Sequence, residues 1–159
     1  MVVVAASSGL FLNLSAPIAS AGSRGLAVSH VTVTAATARG DSAVVMSLTN
    51  DTSGPISLIS VTSPRSQSSM IDYDTNMCQG NHAMMMLANI LISGGLTQKL
   101  GYSYQGAMLR ELKVPLVKGQ SIPLVIRWSN FQKSRVMTVE AKVVAPPRYL
   151  NFGMSSMGM

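Results

Sequence analysis

From Val28 onward, apolar and polar positions alternate with a period of two. Val31 and Val33 alternate with Thr32 and Thr34, and Met137, Val139, Ala141 and Val143 alternate with Thr138, Glu140 and Lys142. This period sends successive side chains to opposite faces, so each run predicts a half-buried strand. Val45 and Leu48 lie in a further apolar run that ends at the turn cluster Asn50-Asp51-Thr52-Ser53-Gly54-Pro55. Ile56 to Val61 predicts the next strand, stopped by Ser63-Pro64, and Met70 to Tyr73 a short one. Met84 to Ile92 is an apolar stretch bounded by Gly94-Gly95, and Leu96 to Leu100 reads as a strand or a turn. Met108 to Leu112 and Ile122 to Trp128 follow, with Pro123 suited to an edge strand or a first strand position. No segment keeps a helical period over three turns, and no internal repeat is present. Short strands at this spacing predict an all-β sandwich or barrel over residues 28–145. Val31, Val33, Leu48, Leu58, Val61, Leu124, Ile126, Val139 and Val143 are its expected core.

Both ends break the pattern. Residues 1–27 carry the apolar Val2, Leu10, Phe11, Leu12, Leu14 and Ile18, interrupted by Ser7, Ser8, Gly9 and Pro17. Those interruptions argue against a stable membrane span. Ala19-Ser20-Ala21 before Gly22 has the small-x-small form of a signal-peptidase site, although no Lys or Arg precedes the apolar run. The segment reads as a targeting leader or as an irregular apolar N-terminal arm. The expected location is exported or organellar, in a bacterial periplasm or a mitochondrion. Residues 146–159 form a Met-rich tail with Met154, Met157 and Met159.

Composition narrows the partners. Charged residues make up 11% of the chain, against about a quarter in average domains. A chain this poor in charge often has surface covered by a partner, so protein partners in a larger assembly are expected. Net charge is +6, and eight of the twelve basic residues lie between Arg110 and Arg148. Apolar runs separate them, so there is no dense patch of the kind a nucleic-acid reader shows. An anionic membrane or an acidic protein face suits them at least as well as nucleic acid. The carboxylates Asp41, Asp51, Asp72, Asp74, Glu111 and Glu140 are scattered; Asp72 and Asp74, at i and i+2, read as a pair sharing one strand face or equally as an expected polar solvent face. No catalytic constellation, phosphate-binding glycine loop or zinc spacing appears, so no enzyme is expected. His30 reads as a structural or surface residue.

The remaining chemistry lies between Tyr73 and Met108. This stretch holds the only cysteine, Cys78, together with His82, Met77, Met84, Met85, Met86 and Met108. Thioether, thiol and imidazole match a soft, polarisable ion such as copper(I). Methionine is also a flexible core filler, so packing explains the same residues. A single cysteine allows no internal disulfide.

The order of parts resembles the PCuAC-type periplasmic copper chaperones, a cupredoxin-like family linked to cytochrome c oxidase copper delivery. Val31-Thr32-Val33-Thr34-Ala35-Ala36-Thr37-Ala38-Arg39 is similar to the family's first strand, and Val44 to Asn50 to its second. Ile59 to Pro64 is similar to the third, and Gly106 to Gly119 to the segment that carries a His-x-Met motif. The resemblance implies a cupredoxin-like Greek-key β-sandwich. The family's copper motif is His, ten residues, Met, twenty-one residues, His-x-Met. In that register Met84 and Met108 fill both methionine positions, while Tyr73 and Gly106 replace both histidines. His82 and Cys78 are the available substitute ligands. A phenol is a hard donor and glycine supplies none, so the site is degenerate. Restoring histidine at Tyr73 and Gly106 is then expected to tighten copper(I) binding by orders of magnitude. The resulting expectation is a structural or accessory subunit of a larger assembly, a respiratory complex being the leading candidate, without a cofactor. The alternative is a working copper(I) chaperone for cytochrome c oxidase.

Overall fold

The computed structural model describes residues 20–23, 25–74, 84–101 and 105–147. Eleven strands follow in chain order: β1 Ser20–Ser23, β2 Leu26–Thr34, β3 Ser42–Asn50, β4 Ile56–Thr62, β5 Ser66–Asp74 and β6 Met84–Leu87. Next come β7 Ile90–Ile92, β8 Thr97–Leu100, β9 Gln105–Leu112, β10 Ser121–Ser129 and β11 Ser134–Val144. No helix occurs among the described residues. The strands hydrogen-bond in the order β6-β5-β9-β3-β2-β11-β10-β4-β7, with β1 on β2 and β8 on β3.

The apolar stretch at Met84–Ile92 is not one strand. β6 pairs with β5 and β7 pairs with β4, at opposite edges of the ladder. Consecutive β4 and β5 are likewise not paired with each other in the ladder, because the corner at Ser63 separates them. There the Ser63 hydroxyl donates to the Pro123 carbonyl at 2.9 Å and accepts from the Arg65 amide at 3.2 Å. A ladder that turns such corners lays two sheet faces against each other and buries the apolar member of each alternating pair.

Every expected core residue is buried. Leu26, Met46, Ile56, Leu112 and Trp128 join them at 0–1% exposure. Leu26 belongs to β2, and β1 pairs from Ser20↔Ser29 to Ser23↔Leu26. The β-structure therefore begins ahead of the boundary expected at residue 28. Pro123 lies in β10, which is central rather than an edge strand. It is tolerated because β4 registers with β10 only from Val125 onward, leaving Pro123 beyond the end of that ladder.

β2 changes partners at an irregularity between Ser29 and Thr32. Before it, β2 pairs with β1; after it, Thr32 to Thr34 pair in parallel with Lys142 to Val144 of β11. His30, exposed and at φ 53°, sits in this bulge. An extra residue there lets the strand bend away from one partner and toward the next.

The β1–β2 reversal leaves two residues between Ser23 and Leu26, the second being Gly25 at φ +105°. A Cβ there would stand 3.1 Å from the Trp128 ring and 3.1 Å from Thr52 Cγ2. Gly25→Ala is expected to cost about 1–3 kcal/mol, from backbone strain and a crowded ring. Urea unfolding followed by the fluorescence of Trp128, the single tryptophan, measures this directly.

Candidate functional site

Tyr73, Met84, Gly106 and Met108, the positions expected from the resemblance, fall on three neighbouring strands, with β5 between β6 and β9. Asp74 pairs with Met84, and Tyr73 pairs with Met85 and Gln105. Asp72 pairs with Met86 and Gly106, Ile71 with Leu87 and Ala107, and Met70 with Met108. Ile71 and Ala107 are buried members of the core. Met70, Asp72, Met86, Gly106 and Met108 hold the alternate register, and Met84 shares it along the backbone. Tyr73 occupies a row of the opposite parity. Cys78 and His82 lie outside the described residues.

Met84 and Met108 are two strands apart and displaced by four residues along β5. At about 4.8 Å per strand and 3.3 Å per residue, their Cα atoms are roughly 16 Å apart. The ladder therefore does not set the two motif methionines side by side. It places Met70, which the sequence pattern did not single out, directly opposite Met108.

Gly106 is buried, and the reason it is glycine is visible. A Cβ at this position would stand 2.8 Å from the Gly101 carbonyl oxygen and 3.0 Å from Asp72 Oδ1. The Asp72 carboxylate and a backbone carbonyl thus occupy the space into which a side chain at 106 would grow. Asp72 is 5% exposed, so the expected solvent face for Asp72 and Asp74 is wrong at Asp72. Its carboxylate lies against Gly106, beside the Gly101 carbonyl, in the space that a side chain at 106 would take. Further along, the Asp41 carboxylate accepts from the Glu111 amide at 3.1 Å and faces Arg110 Nε at 3.7 Å. That ion pair is half exposed and contributes little. Among the described residues, no three His, Cys, Asp or Glu side chains gather into a metal-binding group.

The fold defines the class. The PCuAC domain of PmoF2, solved with copper bound, matches with a TM-score of 0.65 at 15% identity, covering 81% of this chain and all (100%) of that one. The apo PCuAC domain of PmoF1 matches with a TM-score of 0.64 at 18% identity, covering 80% and 99%. The protein is a cupredoxin-like β-sandwich of the PCuAC type. The copper(I) form of DR1885 from Deinococcus radiodurans is 28% identical, with a TM-score of 0.57 and coverage of 78% and 83%. Residues 26–143 match the LpqE-like lipoprotein family, and the chain belongs to that family. Comparison with curated proteins gives no match. Membership of a lipoprotein family points to an exported protein and lends nothing to the mitochondrial alternative.

Proposed function

We propose that this is a non-enzymatic, exported PCuAC-type protein in which the histidine–methionine copper site has been dismantled. It serves as a structural or accessory subunit of a larger assembly, with a respiratory complex as a leading candidate. The supporting observation is the closure at Gly106, where Asp72 Oδ1 and the Gly101 carbonyl leave no room for an imidazole. The register adds to it, since Met84 and Met108 are not cross-strand neighbours. Low charge and the apolar residues of both ends, Val2–Ile18 and Phe152–Met159, fit a chain that works against partners.

A second reading is copper(I) carriage, as in the copper(I)-bound DR1885. The observation that favours it is the direct pairing of Met70 with Met108, which supplies two adjacent thioethers. Two thioethers make a soft but weak site. Anaerobic purification with copper(I), followed by metal analysis, separates the readings. The accessory reading expects less than about a tenth of an equivalent of copper retained, as for a site without strong donors. Stoichiometric copper that is lost in Met70→Leu/Met108→Leu would replace it with the second. Truncations that test the two ends should begin no later than Ser20, because removing residues 20–27 would delete β1 and the buried Leu26.

A further inference from the structure

We infer that the tip of the β10–β11 hairpin is a membrane-docking finger that inserts Phe131 into an anionic phospholipid surface. Ser129 pairs with Ser134, so Asn130 to Lys133 form the tip. Phe131 is 66% exposed and held at φ +73°. Bulky L residues adopt this left-handed conformation only under strain, and Asn or Gly would relieve it.

The tip nevertheless fixes this conformation with its own polar groups. The Phe131 amide donates to Ser129 Oγ at 3.2 Å. Asn130 Oδ1 accepts from the amides of Gln132 at 3.2 Å and Lys133 at 2.9 Å. An exposed aromatic ring is thus presented on a rigid, strained turn, a conflict that marks functional positions.

The hairpin is also basic. Arg127, Lys133 and Arg135 lie within four residues of Phe131, while Lys142 and the single acidic residue of the two strands, Glu140, stand toward the far end of the hairpin. The Arg135 guanidinium lies over the Trp128 ring, 5.8 Å from its centroid, and neither Arg135 Nε nor Trp128 Nε1 has a hydrogen-bond partner among the described residues. At the same end of the sandwich, Leu96 is 58% exposed in the β7–β8 turn, which is bonded to Asn50. Asp51 in the β3–β4 loop lies toward that end, and so does the backbone at Asp74, the last residue of β5.

A four-residue tip is too small for a stable protein interface, which needs about 800 Å² on each partner. A bilayer asks only for an apolar ring at headgroup depth and cations beside it. The hairpin supplies both, so lipid phosphate is the chemistry it fits.

The test is co-sedimentation of the full chain with vesicles of phosphatidylglycerol and phosphatidylcholine, compared with phosphatidylcholine alone. Wild type should partition to the anionic vesicles and release as salt rises. Phe131→Asn keeps the turn, because Asn accepts this φ, and should weaken partitioning about tenfold. Arg127→Gln/Lys133→Gln should weaken it about twenty-five-fold on anionic vesicles, at roughly fivefold per basic residue. Wild-type partitioning that Phe131→Asn leaves unchanged would assign the binding to another part of the chain and overturn the inference. So would a wild type that ignores anionic vesicles, or one whose hairpin variants instead lose a protein partner.

Discussion

Asn50→Leu is expected to destabilise the protein by about 3–5 kcal/mol, the summed cost of stranding buried polar groups. Asn50 ends β3 at 0% exposure. Its Nδ2 donates to the carbonyls of Gly54 at 2.8 Å and Ile92 at 2.9 Å. Its Oδ1 accepts from the Thr52 amide at 2.9 Å and the Thr52 hydroxyl at 2.6 Å. Two donors and two lone pairs are all used, which is the full capacity of an amide side chain. Leucine has the same branched skeleton, with bulkier methyl groups, but leaves the Ile92 carbonyl and the Thr52 amide without the partners Asn50 supplies. The single proton of the Thr52 hydroxyl, shared between Asn50 Oδ1 and the Gly54 carbonyl, turns wholly to that carbonyl at 2.8 Å, so the loss is less than four bonds. The same hub sets the β7–β8 turn beside the β3–β4 loop, where a Cβ on Gly94 would stand 2.5 Å from the Ser53 carbonyl oxygen. Urea unfolding followed at Trp128 reads the change. A loss below about 1 kcal/mol would mean that water replaces the amide, and that this end is more open than its packing shows.

Tyr73→His/Gly106→His is expected to lose stability by about 2–4 kcal/mol and to gain less than tenfold in copper(I) affinity, because overpacking displaces the intended ligand. The linear motif predicts the reverse, a gain of orders of magnitude. One atom pair argues against that gain, the 2.8 Å approach of a Cβ at 106 to the Gly101 carbonyl oxygen. Backbone cannot swing aside as a side chain does. Tyr73 and Gly106 are also not paired: Tyr73 registers with Gln105, and Asp72 with Gly106. Competition against a copper(I) chelator, together with thermal melts, measures both quantities. A thousandfold gain at unchanged melting temperature would show that the four motif positions do converge, and the dismantled-site reading would fall. Adding Asp72→Ala removes the carboxylate but leaves the Gly101 carbonyl, so it is expected not to rescue the histidine.

Alternation was legible without coordinates, because burial on one face of a strand needs only a period of two. Val31 and Val33, or Val139 and Val143, declare their strands unaided, and all four are buried. The cluster from Asn50 to Pro55 announces its turn for the same reason, since its residues suit only a few backbone conformations. The candidate site was legible only as an order of residue types. Met84 and Met108 were visible; that Met70 rather than Met84 would face Met108 was not, because register is a relation between strands far apart in sequence. Asp72 shows the same limit. Its alternation with Asp74 suggests solvent, whereas its carboxylate lies buried at Gly106 beside the Gly101 carbonyl.

The sequence by itself determined that this chain is all-β and which faces of most strands are apolar. These depend on residue identity and local periodicity alone. Only the tertiary structure decided that Met84–Ile92 splits between opposite edges, that Asp72 and the Gly101 carbonyl close the space at Gly106, and that Phe131 stands exposed on a strained tip. Each of those depends on where distant backbone segments meet, and no local pattern carries that information.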